Sequence, residues 1–390
     1  MLARLLVLLP LLAVSACSPA VSPQPAQTPS APASSTVADE AWQEVPLPAR
    51  VRPASLAVSG NDLLVGGLAT DRPAPRLLRL HAGSVTGEFR LEPGDPNAAA
   101  ADLVRLSVSG ENVYAIGTMI AGAHSNPRLT VWDGTTTGPR LTSRPQEFFT
   151  FGGHDAGPLL GTVEVDGSPV IFGSRVGGAG PYGVVWTRTG HTWRQQERAA
   201  ALSSSPDREF GFSALTVLGN RLLVAGDELG LAGGLTQRPV VFVGGVGRDW
   251  QEVALPVPDS IGRVPGQLSR ATSVACTPGS RTCWASGWVR GHALAWPVSV
   301  PARAAATAAD PAVLPGDPPD GNDPTTLLTL VNDRPVVLTN ASEPSAQLGC
   351  PDGWRSLSAP PVRATAVVAA SDALYAVAGE RLWRHRVPSC

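Results

Sequence analysis

The sequence predicts an all-β fold, a seven-bladed β-propeller of four-stranded antiparallel blades whose ring is closed by the N-terminal strand. Three observations carry that prediction. One hairpin phrase recurs seven times along the 390 residues, and regular recurrence marks a repeat architecture. Gly (41) and Pro (38) are abundant while charged residues make only 16% of the chain, which favours short strands and turns over long amphipathic helices. The tetrad Trp-Gln-Glu-Val stands at Trp42, ahead of the first hairpin, and again at Trp250 within the array.

The chain opens "MLARLLVLLPLLAVSAC", with one cation at Arg4, an apolar run from Leu5 to Val14 and then small residues. The run is too short to cross a bilayer comfortably and has the layout of a secretory signal over residues 1–16. The tetrad Val14-Ser15-Ala16-Cys17 resembles the lipobox of bacterial lipoproteins. That resemblance implies cleavage before Cys17 and a diacylglyceryl group on its thiol, hence a membrane anchor outside the cytoplasm. The alternative is an ordinary signal peptide cut near Ala16, leaving Cys17 a free thiol.

Residues 17–40 then form the anchor and a spacer. The stretch "SPAVSPQPAQTPSAPASSTVAD" has no aromatic residue and almost no charge, so it buries too little apolar surface to fold. The propeller domain is assigned to residues 41–390.

Within it the phrase reads "SLAVSGNDLLVGG" from Ser55, "RLSVSGENVYAIG" from Arg105, "TVEVDGSPVIFG" from Thr162 and "ALTVLGNRLLVAG" from Ala214. Looser copies start at Thr272, Leu328 and Ala366. Each alternates with period two around a Gly, Asn or Asp turn, the pattern of a β-hairpin. A third strand such as "RPVVFVGG" and a fourth opening on Trp193, Trp250 or Trp354 complete most blades. One blade cannot bury both of its faces, but seven around an axis can. The competing architecture, a pair of β-sandwiches, does not produce a sevenfold recurrence.

The early tetrad now finds a place. "AWQEVPLP" is a fourth strand that precedes the first hairpin, and the last copy stops after its third strand, "ERLWRHRVPSC". The N-terminal strand is therefore expected to complete blade 7 and remove an exposed edge.

The turns "WTRTGHTW" (from Trp186) and "VGGVGRDW" (from Val243) are similar to the Asp-box of sialidase-like BNR repeats, S-x-D-x-G-x-T-W. Both lack the Ser and the Asp, with Arg188 and Gly245 at the Asp position. The resemblance implies a propeller and no particular activity.

Besides Cys17 there are four cysteines, an even number. Cys276 and Cys283 flank a turn and are expected to pair across a hairpin. Cys350 and Cys390 are expected to pair and pin the C-terminus to blade 6. No metal motif is present and the six His are scattered, so neither a metal nor a cofactor is expected.

Functional residues are expected on the loops between second and third strands, which read as long and Gly-rich and share one end of the scaffold. They carry Asp71, Arg72, His124, Arg175, Tyr182, Asp227, Glu228 and Arg290. The polyacid stretch "GDPPDGNDP", with Asp317, Asp320 and Asp323, departs from the order of a calcium loop and reads as a blade connection. A sialidase-type glycosidase would need an arginine cluster, an activated Tyr and a separate acid. Arg72, Arg175, Arg290, Tyr182 and Glu228 are the right residue types, but no motif fixes them. A formal charge of -2, 30 Arg, no Lys and no basic run argue against nucleic acid. The reading is a monomeric, membrane-tethered propeller that binds an envelope protein or glycan without catalysis. The alternative is a sialidase-like hydrolase.

Overall fold

A computed structural model describes residues 40–121, 126–247, 249–261, 268–315 and 325–390. Cys17, His124, Asp317, Asp320 and Asp323 lie outside the described residues, as does the signal and nearly all of the spacer.

Seven antiparallel sheets form the ring. Blade 1 comprises Val51–Ser59, Asp62–Ala69, Ala74–His81 and Ser84–Glu88. Blade 2 comprises Asp102–Ser109, Asn112–Ala121, Asn126–Thr135 and Arg140–Ser143, with Arg90–Glu92 added in parallel at its edge. Blade 3 is Ala156–Val165, Ser168–Gly177, Gly180–Thr189 and Thr192–Gln195. Blade 4 is Arg208–Leu218, Arg221–Gly230, Thr236–Gly244 and Gln251–Ala254. In blade 5 the fourth layer beside Ser269–Cys276, Thr282–Val289 and His292–Ser299 is divided between Thr307–Ala308 and Ala312–Leu314. Blade 6 is Thr326–Val331, Arg334–Thr339, Ser345–Cys350 and Gly353–Leu357.

Blade 7 combines Ala364–Ala370, Ala373–Ala378 and Arg381–Arg386 with Gln43–Val45 from the other end of the chain. Glu44 lies opposite Trp383 in that antiparallel pair, and Arg381 donates to Glu44 at 2.8 Å. The expected closure is the one observed.

Apolar residues fill the seams between blades. Leu222 to Ala225 and Val240 to Val243 are wholly buried runs in the middle strands of blade 4, as strands covered on both faces require. Each of the seven hydrophobic clusters joins one blade to the next. Trp296, fully buried in the seam of blades 4 and 5, donates its indole N–H to Pro256 O at 2.7 Å, whereas the indole N–H of Trp288 in the next seam is buried without a partner among the described residues. Burying such a ring contributes about 3 kcal/mol.

Both expected disulfides are present. Cys276 and Cys283 are register partners with Cα atoms 4.0 Å apart, and Cys350 bonds Cys390.

The innermost strands share one irregularity. A bulge falls at Ala54, Val104, Leu160, Ser213, Thr272 and Thr365, in six of the seven blades. The extra residue pushes a carbonyl toward the second strand, and in blades 4 and 5 only glycine fits there. A Cβ at Gly226 would collide with Gly211 O, and one at Gly287 with Arg270 O. The Gly that closes most copies of the sequence phrase is explained by this close approach.

Candidate functional site

Each blade turns back between its second and third strands at the same end as the chain passes to the next blade. The sequence reading expected long loops there. In the structure the strands run further, because their alternating Val, Leu and Gly residues pair to the ends. The turns shrink to residues 70–73 in blade 1, 178–179 in blade 3, 231–235 in blade 4 and 290–291 in blade 5. Most of this end, the connection face, is thus built from short turns and the longer links between blades.

The expected site residues that the structure describes reach this face from different blades, and most meet a local partner. Asp71 accepts from Arg50 at 3.1 Å in blade 1, and that hydrogen bond holds its carboxyl below the usual range. Arg72 is exposed beside it in the same turn. In blade 3, Arg198 lies over the Tyr182 ring at 4.0 Å. Asp227 accepts from Gln237 at 2.7 Å. Arg290 occupies a tight turn with φ of 50° and donates its backbone N–H to Leu268 O at 3.0 Å.

Glu228 belongs to a four-membered ionic cluster. Arg238 contacts Glu228 and Glu252 at 2.6 Å each, and Arg208 contacts them at 3.5 and 3.1 Å. Burial and the adjacent Glu228 push the Glu252 carboxyl up. Burial opposes ionisation of Glu228 too, yet hydrogen bonds from Arg238 and Glu252 hold it below its ordinary value.

Arg175 is only 6% exposed, which the sequence did not suggest. It is bound to Asp155 at 2.9 and 3.1 Å and donates to the carbonyls of Phe149 and Gly152 at 3.3 and 3.0 Å. These contacts fasten the link between blades 2 and 3, which contains a single helical turn, Phe148–Phe151. Phe151 enters the core and meets Trp186 edge-on at 5.7 Å, while the Trp186 indole donates to Thr150 O at 3.1 Å. Gln146 bonds His191 O and the N–H of Trp193 across the seam. With Phe151 turned inward, the helical pitch turns Phe149 away from the core, 70% exposed, while Phe148 at the start of the turn is 49% exposed.

These two rings were not anticipated from the sequence, and they are not isolated. Among the described residues, nine large hydrophobic side chains are exposed. Seven of them, Ile120, Phe148, Phe149, Val176, Leu235, Leu268 and Val362, lie on the connection face. Val85 and Val313 lie on outer strands instead. Arg128 stacks over Phe148 at 4.7 Å beside a cleft of about 150 Å³ lined by Pro127, Arg144, Gln146 and Phe151.

A second cavity, of about 330 Å³, occupies the central channel at the level of the bulges. It is walled by the innermost strands of all seven blades, with Arg105 as the only charged residue among the described residues of the wall.

No protein-family model and no curated protein matches this chain. Solved structures do. YCF48 from Cyanidioschyzon merolae aligns with a TM-score of 0.53 at 13% identity, covering 89% of this chain and 99% of that one. Kuenenia stuttgartiensis hydrazine synthase aligns at 0.49 and 11%, covering 86% and 96%. A Penicillium chrysogenum α-L-arabinanase complexed with arabinobiose aligns at 0.44 and 12%, covering 70% and 89%. The YCF48 likeness agrees with the propeller read from the strand pairing, and at such identity it speaks to the fold alone.

Proposed function

We propose that the chain is an extracytoplasmic lipoprotein, anchored through Cys17, whose propeller binds a protein of the cell envelope with its connection face and catalyses no reaction. The observation that supports this most is the pair Phe148 and Phe149. Rigid, exposed aromatic rings are the usual anchors of protein interfaces. Here the cost of ordering them is already met within the fold, because Arg175, Trp186 and Gln146 hold the segment in place. Two disulfides fit an oxidising compartment, and the Val14-Ser15-Ala16-Cys17 tetrad supplies the anchor. The remaining polar residues of the face, Arg72, Tyr182, Asp227, Glu228 and Arg290, are proposed as rim contacts around the patch.

The rival glycosidase reading would need Arg72, Arg175 and Arg290 on one substrate carboxylate. They come from blades 1, 3 and 5, and Arg175 is already occupied by Asp155.

Cross-linking in intact cells, followed by affinity capture of the tagged lipoprotein, tests the binding claim. A partner cross-linked to wild type and reduced at least tenfold by Phe149→Ser is expected. Capture unchanged by Phe148→Ser together with Phe149→Ser would remove the patch from the interface. Detergent partitioning of Cys17→Ala tests the anchor separately, since a protein that still enters the detergent phase is not held by Cys17.

A further inference from the structure

Counting from the hairpin turns, one register position lies directly after the bulge in the six innermost strands that have one, and Leu327 holds the equivalent place in blade 6. Its occupants are Ser55, Arg105, Gly161, Ala214, Ser273, Leu327 and Ala366. Six are small or apolar, and blade 2 alone places a long cation there. All seven line the central cavity.

The surroundings of Arg105 do not answer its charge. No Asp or Glu lies on the described wall, and the one hydrogen bond of the guanidinium goes to the adjacent Val104 O at 2.9 Å. Enclosure pushes its pKa below the ordinary arginine value, while its surface stays open to the channel. On the same wall Thr162 is 3% exposed and its hydroxyl has no hydrogen-bond partner. The buried hydroxyl without a partner represents uncompensated desolvation, and the guanidinium faces the channel with no counter-ion on the described wall. The rest of the wall mixes aliphatic side chains, including Leu56, Leu106, Leu215, Val274 and Val367, with hydroxyl-bearing Ser, Thr and Tyr side chains, Tyr114 among them.

We propose that the central channel is a binding site for a small organic carboxylate, held by Arg105, with its aliphatic body against the leucine and valine side chains of the wall. A guanidinium presents paired donors that match a carboxylate in a bidentate contact. One cation balances one negative charge, so a monocarboxylate fits better than a phosphate dianion, which calls for further cations or a nest of backbone N–H groups. A cavity of about 330 Å³ suits a molecule of this kind. The site does not rest on the partner surface proposed above.

Isothermal titration of the mature protein with butyrate, hexanoate, benzoate, the matching primary amides and inorganic phosphate tests the site. Saturable binding of at least one carboxylate, with its amide at least tenfold weaker, is expected, and Arg105→Gln should lose it while keeping the wild-type melting curve. The Arg105 Nε–H resonance, identified by its disappearance in Arg105→Gln, should shift on addition of the carboxylate. Phe149→Ser should bind the carboxylate as wild type does, which separates this site from the docking face. Absence of saturable carboxylate binding to wild type would overturn the proposal, as would equal affinity for acid and amide. Should Arg105→Gln fold poorly, the acid-to-amide comparison on wild type still decides the matter.

Discussion

Trp42 stacks on His385 with ring centroids 5.1 Å apart, joining the N-terminal segment to the last strand of the chain. The Trp42 indole also donates to Ser358 O at 2.8 Å, so one side chain spans the seam between blades 6 and 7. Deleting residues 40–48 should lower the melting temperature strongly, and Trp42→Ala alone should cost about 3 kcal/mol. Deleting residues 18–36, the spacer expected from the sequence, should leave the melt unchanged. Equal melting of the two truncations would contradict closure as a source of stability.

The same seam is fastened a second time by Cys350–Cys390, which spans 40 residues of sequence. Constraining a loop of that length stabilises by about 4 kcal/mol in the chain-entropy model, against about 2 for the shorter Cys276–Cys283 link. The double variant Cys350→Ser with Cys390→Ser should therefore unfold at lower denaturant than Cys276→Ser with Cys283→Ser. Urea titrations of the two give the order directly.

The Glu228–Glu252 pair predicts a pH dependence. Glu252 has a folded-state pKa raised above its ordinary 4.5. Its contribution is complete below that value and is lost as pH rises through the raised one. Glu228, with a lowered value, behaves oppositely, and its contribution is lost as pH falls through it. Stability from the pair is greatest between the two. Glu252→Gln should flatten the decline above pH 4.5, and an unaltered slope in denaturation series across that range would exclude Glu252 as its origin.

Asp155 links the charge state of the connection face to its order. The hydrogen bond from Arg175 holds its carboxyl below the ordinary 3.8, so the stabilisation is present above that value and lost as pH falls through the lower one. Asp155→Asn should reproduce the acid state at neutral pH, at a cost of about 2 kcal/mol. Hydrogen exchange should quicken across residues 146–153, with blades 5 and 6 unaffected. Exchange that stays slow there would mean that Arg175 alone suffices.

The propeller and both disulfides were legible because hairpins announce themselves locally, through alternation and turn residues, and because closure left a displaced strand at Trp42. The functional face was less so. Arg175 reads as a loop cation, but its burial depends on Asp155, twenty residues earlier and in a different element. Phe148 and Phe149 sit in a blade link outside the repeating phrase, and a pair of adjacent Phe among only eight in the chain was the available signal. Arg105 stood in plain view, opening a copy of the phrase where the others open on Ser, Thr, Ala or Leu. Its meaning needed the ring, which turns that register position toward a shared channel.

The bulge and its facing glycine give the last prediction. In blade 4, a methyl group at Gly226 would drive into Gly211 O, a backbone atom that cannot step aside without unseating the strand that lines the channel. Gly161, one residue past the bulge of blade 3, has only Leu215 Cδ2 near, at 3.8 Å, which is ordinary contact distance. Both glycines lie in strands and both look replaceable by propensity alone, since Gly in a strand interior is generally unfavourable. Gly226→Ala should destabilise by about 3 kcal/mol through displaced backbone, whereas Gly161→Ala should be neutral or slightly stabilising. Thermal melts of the two variants separate a glycine required by close approach from one that merely occupies a strand, and similar melting temperatures would refute the role given to the bulge.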